Sequence, residues 1–240
     1  ELSIGLWNVQ WASRTSARGA FFSKCFEAIS PDVLCVTEGH ENILQTNGHV
    51  IASDADYGYR RMPGRRKVLL WSRSPWRDVD SLGASGIPSG RFIAGTTDTP
   101  IGAVRFVGVC VPWRNAHVST GRADRMIWED HVAFLEHLAP VLQAVCLEPS
   151  VIIGDFNQAV PRRRQPTRAF DALVTVLAAK YSLVTAGNIP EAPHPSIDHI
   201  AVSSTLNTDQ VRFLSQYDSN GDRMSDHYGL SATFSARRDF

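Results

Sequence analysis

The chain has 240 residues, with 24 Lys plus Arg balanced by 24 Asp plus Glu, 43% hydrophobic and 9% aromatic. A chain of this size buries roughly 70 to 75% of the surface its unfolded form exposes, so it builds a core without a disulfide or metal staple, and residues 1–240 read as one domain. A net charge of zero excludes a protein that wraps nucleic acid by bulk electrostatics; it leaves room for local basic patches.

Taken in order, short apolar runs rich in Val and Ile predict strands at Leu2 to Trp7, Val33 to Val36, Lys67 to Ser72, Val104 to Val111, Val151 to Ile153, Ile197 to Val202 and Tyr228 to Phe234. Helical spacing predicts helices over Thr15 to Ile29, ahead of Pro31, over Arg122 to Leu138, ahead of Pro140, and over Thr167 to Lys180. In the second, Met126, Trp128, Val132, Leu135 and Leu138 share a stripe, and His131 and His137 are expected on the surface. Strands outnumber helices and do not alternate strictly with them, which favours a mixed layered sandwich over a doubly wound parallel sheet.

Cys25, Cys35, Cys110 and Cys146 form no CxxC pair, and Cys35 and Cys110 sit in apolar runs. Buried free thiols and a reducing, cytoplasmic compartment are the expectation. No stretch approaches the ~18 to 20 apolar residues of a membrane span. The chain starts at Glu1, so a leader already removed would leave no trace.

The polar residues that end these runs carry the chemistry. Asn8 follows the first strand, Glu38 the second, Asp155 and Asn157 the fifth; Asp198 opens the sixth, and Asp226 and His227 precede the last. Acids and amides at strand ends can converge on one sheet edge, where their hard oxygens suit Mg²⁺ or Mn²⁺. Phosphate-ester hydrolysis needs such charge compensation, together with a carboxylate to direct water and a donor for the developing charge.

The ordered set Leu6-Trp7-Asn8, Val36-Thr37-Glu38, Lys67 to Arg73, Gly154-Asp155-Phe156-Asn157, Ile197-Asp198-His199-Ile200 and Ser225-Asp226-His227 resembles the endonuclease/exonuclease/phosphatase (deoxyribonuclease I-like) superfamily across nearly the whole chain. The resemblance implies a four-layer α/β/β/α sandwich, two packed mixed β-sheets flanked by helices, with the site at one edge. It implies Glu38, Asn8 and Asp226 as the Mg²⁺ or Mn²⁺ region, Asp155 as the water-directing acid, with Asn157 helping to position water and phosphate. It also implies His227 as the donor to the phosphoryl oxygen, oriented by Asp198. Thr37 stands where Gln is usual, and His40 lies outside the general pattern. After the Val104 to Val111 strand many relatives place a His or Tyr at the phosphate; here the chain reads Pro112-Trp113-Arg114-Asn115-Ala116-His117, leaving that role vacant or passing it to Arg114, Asn115 or His117.

Two acid-free basic segments bear on substrate: Arg60 to Arg77, with seven basic residues, and Pro161 to Arg168, with Arg162, Arg163, Arg164 and Arg168. The second begins four residues after Asn157 and reads as a polyanion contact. Trp113, Trp11 and Trp7 are candidate stacking surfaces, though Trp7 in a strand is more often core, and His199, beside Asp198 on a strand, is expected to point to the opposite face as a structural histidine. The function expected is divalent-metal-dependent hydrolysis of a phosphodiester in nucleic acid by a monomer. The alternatives are a phosphatase or phosphodiesterase acting on a small phosphoester, phosphoinositide or phospholipid headgroup, and a non-catalytic nucleic-acid-binding regulator. The regulator is disfavoured because no acid or histidine of the set is lost.

Overall fold

A computed structural model describes residues 1–44, 47–83, 86–144, 149–177 and 180–237. The chain runs β1 (Leu2–Asn8), α1 (Ala17–Ile29), β2 (Val33–His40), a 3₁₀ turn (Glu41–Ile43), β3 (His49–Ala52), β4 (Arg65–Ser72), β5 (Trp76–Asp80), β6 (Phe92–Thr99), β7 (Gly102–Cys110), α2 (Glu129–Ala144), β8 (Ser150–Asp155), α3 (Thr167–Leu177), β9 (Tyr181–Leu183), β10 (Asp198–Ser203), β11 (Leu206–Leu214) and β12 (Gly229–Ala236). Two six-stranded sheets result, ordered β11-β12-β1-β2-β4-β3 and β5-β6-β7-β8-β10-β9. Each contains one parallel pair, β1 with β2 and β7 with β8. In each case a helix makes the crossover that parallel pairing demands.

Side-chain alternation assembles the layers. In β8, Val151 and Ile153 face the core between the sheets, while Ile152 joins the cluster beneath α2 and α3. In β2, Val33 and Cys35 face inward, and Leu34 and Val36 pack outward beneath α1. A strand covered on both faces must be apolar at every position, which is why these runs are continuous rather than alternating. The four-layer sandwich is therefore present: α1 on one sheet, α2 and α3 on the other.

Helix α1 shows how its sequence sets its limits. The Ser16 hydroxyl accepts from the Gly19 amide at 3.0 Å, satisfying a free first-turn donor. Phe22 and Phe26 bury their rings against Trp7, each contributing roughly 1.5–3 kcal/mol of hydrophobic stabilisation. Ser30 turns left-handed, at φ 42°, and its amide closes onto the Phe26 carbonyl just before Pro31.

The structure also departs from the sequence expectations. Strands β3, β5, β6, β9 and β11 have no counterpart among the predicted runs. Four of these are the sheet edges, where one flank faces solvent and polar residues are favoured; β11 is exposed over Asn207 to Gln210. The fifth, β6, is interior, but Gly95, Thr96 and Thr97 dilute its apolar signal. Helix α2 starts at Glu129 rather than Arg122 and continues through Pro140 to Ala144. Pro140 lies on the exposed side, while Leu135, Leu138 and Leu142 anchor the buried side on either flank of it. Met126 lies outside the helix, 77% exposed. His131 is fully buried, contrary to expectation, and His137 is half-buried. Cys35 and Cys110 are buried free thiols as expected and Cys25 is half-buried; Cys146 and the end of the third predicted helix at 178–179 lie outside the described residues. Among the described residues no helix is long and apolar enough to cross a membrane.

Candidate active site

The parallel pairs point the carboxyl ends of β1, β2, β7 and β8 toward one rim, and β10, antiparallel to β8, begins there. Its first residue, Asp198, pairs in register with Asp155, the last of β8. One residue earlier, Gly154 has φ +147°, and a Cβ there would lie 1.9 Å from the Val109 carbonyl oxygen. Only glycine lets β8 approach β7 this closely while presenting Asp155 at the rim.

Asp155 is 2% exposed. Its Oδ1 accepts from the Asn157 amide at 2.8 Å and its Oδ2 from Asn8 Nδ2 at 3.1 Å. Asn157, at φ 51°, donates through Nδ2 to the Val111 carbonyl oxygen at 2.8 Å, which binds the loop to the end of β7. Burial, then the neighbouring Asp198 carboxylate, push the Asp155 pKa well above the usual carboxylate range; His227 opposes this and Glu38 adds to it.

His227 Nδ1 donates to Asp198 Oδ2 at 2.6 Å. Burial alone would disfavour the imidazolium, but the pairing with Asp198, followed by the charges of Asp155 and Asp226, outweighs it and raises the His227 pKa to about 10. Ligand atoms of Asp155, Asp198 and His227 lie within 4.8 Å of one another. Asp198 occupies Nδ1, and Nε2 lies 3.9 Å from Asp226 Oδ1; the Asp155 carboxylate is hydrogen-bonded to Asn157 and Asn8 instead. Ser225, which the sequence marks only as part of a motif, anchors the His227 turn: its hydroxyl donates to the Asn8 carbonyl oxygen at 2.7 Å and accepts from the His227 amide at 3.1 Å. Trp7 Nε1 donates to the His227 carbonyl oxygen at 3.0 Å, so Trp7 is a core residue beneath the site and offers no stacking face.

These groups open into a cleft of about 540 Å³. Asn8, Glu38, Asp155, Asn157, Asp226 and His227 line it, together with Trp11, Tyr57, Tyr59, Arg65, Arg91 and Trp113. Lys67 Nζ donates to Glu38 Oε1 at 2.5 Å. Trp11 stacks on Tyr57, ring centroids 5.6 Å apart, with Lys67 and Arg65 over its ring at 4.9 and 5.0 Å. Trp11, Glu38 and Asn157 all have positive φ, backbone strain gathered around one cleft.

The substrate-side candidates separate. Trp113, 46% exposed, is the residue after the β7 strand that lines the cleft; Arg114, Asn115 and His117 do not. His117 is buried behind Tyr59, ring centroids 4.4 Å apart, its Nδ1 accepting from the Arg122 amide. Arg162, Arg163 and Arg164 are exposed on a loop outside the cleft lining, with Arg162 Nη1 donating to Thr167 Oγ1 at 2.9 Å. His40 caps the 3₁₀ turn after β2.

Behind the rim, His199 is structural as expected, buried with Nε2 donating to the Gln158 carbonyl oxygen at 2.9 Å and Nδ1 accepting from Thr185 Oγ1 at 2.9 Å. His131 donates through Nδ1 to the Pro112 carbonyl oxygen at 2.7 Å and accepts through Nε2 from Gln158 Nε2 at 2.6 Å. The residue after Asn157 is thus held between two neutral imidazoles. Neither partner is predictable from spacing, since both contacts join residues distant in sequence.

Comparison with known proteins identifies the family and the fold. The model of the Endonuclease/Exonuclease/phosphatase family matches residues 5–227. Comparison with curated proteins finds no match. Among solved structures, the chain is similar to a 3' phosphatase, NExo, from Neisseria bound to product DNA hairpin (19% identity, TM-score 0.70, covering 98% of this chain and 99% of that one). It is also similar to humanized D. rerio TDP2 (15%, 0.72, 98% and 99%) and to the human Nocturnin catalytic domain with bound sulfate anion (16%, 0.65, 98% and 93%). At such identities these likenesses show the shared fold, and the match over residues 5–227 shows the lineage: the chain belongs to the endonuclease/exonuclease/phosphatase family of phosphoesterases.

Proposed function

We propose that this chain is a divalent-metal-dependent phosphoesterase that hydrolyses phosphodiester bonds of nucleic acid. The observation that carries the reading is the His227 to Asp198 hydrogen bond of 2.6 Å beside the buried Asp155 carboxyl. An imidazolium fixed through Nδ1 presents Nε2–H to a phosphoryl oxygen, and a carboxyl with a raised pKa can accept a proton from water near neutral pH. Asn157, oriented by the Val111 carbonyl and the Asp155 carboxylate, helps position water and phosphate.

The donor set fits a hard cation. Glu38, Asp226 and the Asn8 amide offer oxygen, and Cys110, the one thiol at the cleft among the described residues, is pushed up to about 12 by burial and is no competing ligand. Glu38, Asn8 and Asp226 would hold Mg²⁺ or Mn²⁺, which would supply charge compensation at the phosphoryl oxygens. Three features support a nucleotide substrate: the half-exposed Trp113 ring offers a stacking face, Arg60 and Arg65 line the same cleft, and the Neisseria structure holds a DNA hairpin product.

The test is a hydrolysis panel of supercoiled, single-stranded and abasic-site DNA, RNA, inositol phosphates and sphingomyelin, with Mg²⁺, Mn²⁺ or chelator and Asp155→Asn as control. Metal-dependent cleavage of a nucleic acid, lost in the variant, is expected. Cleavage confined to a small phosphoester or lipid would replace the substrate; no cleavage with any metal would end the enzyme reading.

A further inference from the structure

Arg18, the second residue of α1, is half-buried and belongs to none of the strand-end motifs. Its guanidinium donates to three backbone carbonyl oxygens: Nη2 to Val9 at 2.8 Å, Nη1 to Gln10 at 3.2 Å and Nε to Met224 at 2.6 Å. Val9 and Gln10 form the turn after β1, whereas Met224, 206 residues beyond Arg18, immediately precedes Ser225-Asp226-His227. A cation in the first turn of a helix opposes the helix dipole. Burial disfavours its charge as well and lowers its pKa, while the charge of Asp226 opposes that. Neither the helix nor its solvation favours an arginine at this position, so the reason for it lies in what the fork holds.

Both held segments carry site residues. Gln10 and Trp11, at φ 48° and 64°, are consecutive left-handed residues, a conformation that persists only where its surroundings impose it. In that turn the Gln10 amide donates to Asn8 Oδ1 at 3.0 Å, leaving the second lone pair of this oxygen for a cation, and Asn8 Nδ2 donates to Asp155 Oδ2 at 3.1 Å. The Trp11 amide donates to the Glu38 carbonyl oxygen. From the other segment, Ser225 donates to the Asn8 carbonyl oxygen, and Asp226 lines the cleft with Asn8. An ammonium concentrates its donors at one atom; the planar guanidinium spreads them over Nε and both Nη atoms, and so reaches carbonyls of both segments at once.

We infer that Arg18 is a positioning residue: it clips the turn after β1 to the segment carrying Asp226 and His227, and thereby sets the spacing of Asn8 and Asp226 around the cation. The inference rests on the metal-dependent phosphoesterase reading and adds to it a residue that stands outside the cleft lining and acts through the backbone.

Mn²⁺ affinity without substrate is measured by electron paramagnetic resonance of the free ion for the wild type, Arg18→Met, Arg18→Lys and Ser16→Ala. The melting midpoint of each is recorded, with kcat and KM on whichever phosphoester the panel identifies. Ser16→Ala removes the α1 cap and leaves the clip, so it reports the effect of lost stability alone. Arg18→Met is expected to bind Mn²⁺ about 10- to 100-fold more weakly, and Arg18→Lys, which keeps the charge and loses the fork, to recover little of that. Ser16→Ala should melt lower yet bind Mn²⁺ as the wild type does. In the Arg18 variants kcat at limiting metal should fall and be restored by added Mn²⁺, with KM nearly unchanged.

Wild-type Mn²⁺ affinity in either Arg18 variant, however far the melting midpoint falls, overturns the inference, as does an equal loss of affinity in Ser16→Ala. If Arg18→Met does not fold, Arg18→Lys decides by the same criterion. A wild type that binds no Mn²⁺ ends the metal reading and the inference with it. Mn²⁺ binding that depends on Arg18, with no phosphoester cleaved, leaves the positioning role standing while the hydrolytic reading fails.

Discussion

Lys67 Nζ lies 2.5 Å from Glu38 Oε1, joining neighbouring strands at the mouth of the cleft. The pair is mostly buried, with side chains 10% and 23% exposed. It engages a carboxylate that the proposed reading has hold a cation, and the Glu38 backbone is left-handed, at φ 47°.

Removing Lys67 should leave Glu38 poorly compensated. Lys67→Met is expected to lower stability by about 1–3 kcal/mol, and the double variant Lys67→Met/Glu38→Gln should recover part of that loss. Urea unfolding of the four proteins, read as a double-mutant cycle, checks it; additive losses would mean that the two side chains do not couple.

On the proposed reading Asp198 acts through His227, to which it is hydrogen-bonded. Asp198→Asn should lower kcat by about 10²- to 10⁴-fold while KM changes little, because it removes the charge that favours the imidazolium and fixes its orientation. Steady-state kinetics on the panel substrate decide this, and a loss carried by KM alone would place Asp198 outside the chemistry.

Acid should destabilise the fold by way of two neutral histidines. Burial lowers both His131 and His199 to about 4, against a smaller opposing effect of their hydrogen bonds to the Pro112 and Gln158 carbonyls. Below the ordinary value near 6.5 the unfolded chain binds protons that the folded chain refuses, so their contribution is complete above pH 6.5 and declines as pH falls toward 4. Each could remove up to about 3 kcal/mol across that window, partly offset by Asp155, whose raised pKa makes the folded chain take up a proton over the same range. Urea midpoints at pH 7, 5.5 and 4.5 measure the slope; a His199→Asn protein should show a shallower one, and an unchanged slope would locate the acid sensitivity elsewhere.

The loop arginines test the polymer reading. Changing Arg162, Arg163 and Arg164 together to Ala should raise KM for a long nucleic acid and flatten its dependence on salt, with little effect on a mononucleotide ester. The loop begins just beyond the site, but its side chains stand outside the cleft lining. Identical salt series for variant and wild type would reduce it to solvated surface.

The rim of the site was legible because its residues end continuous apolar strands. Asn8, Glu38, Asp155, Asn157 and Asp198 each follow or open a nearly continuous buried run, and such runs announce themselves without an alignment; His227 precedes β12, where buried and half-buried positions alternate. The polar edge strands β3, β5, β9 and β11 do not, since one flank meets water and their pattern resembles loop. Helix α2 passed through Pro140 because the buried side of the helix, not local propensity, decides its length.

By itself, the order of residues along this chain determined the acid, amide and imidazole set and the layered fold that brings strand ends together. Tertiary structure alone decided what surrounds them. It put Trp113 rather than His117 at the cleft, turned Ser225 into the anchor of the His227 turn, enclosed Gln158 between two histidines and drew the carbonyls of two distant segments onto Arg18. Each of these joins residues far apart in sequence through burial and hydrogen-bond satisfaction, properties of the packed chain that no local pattern encodes.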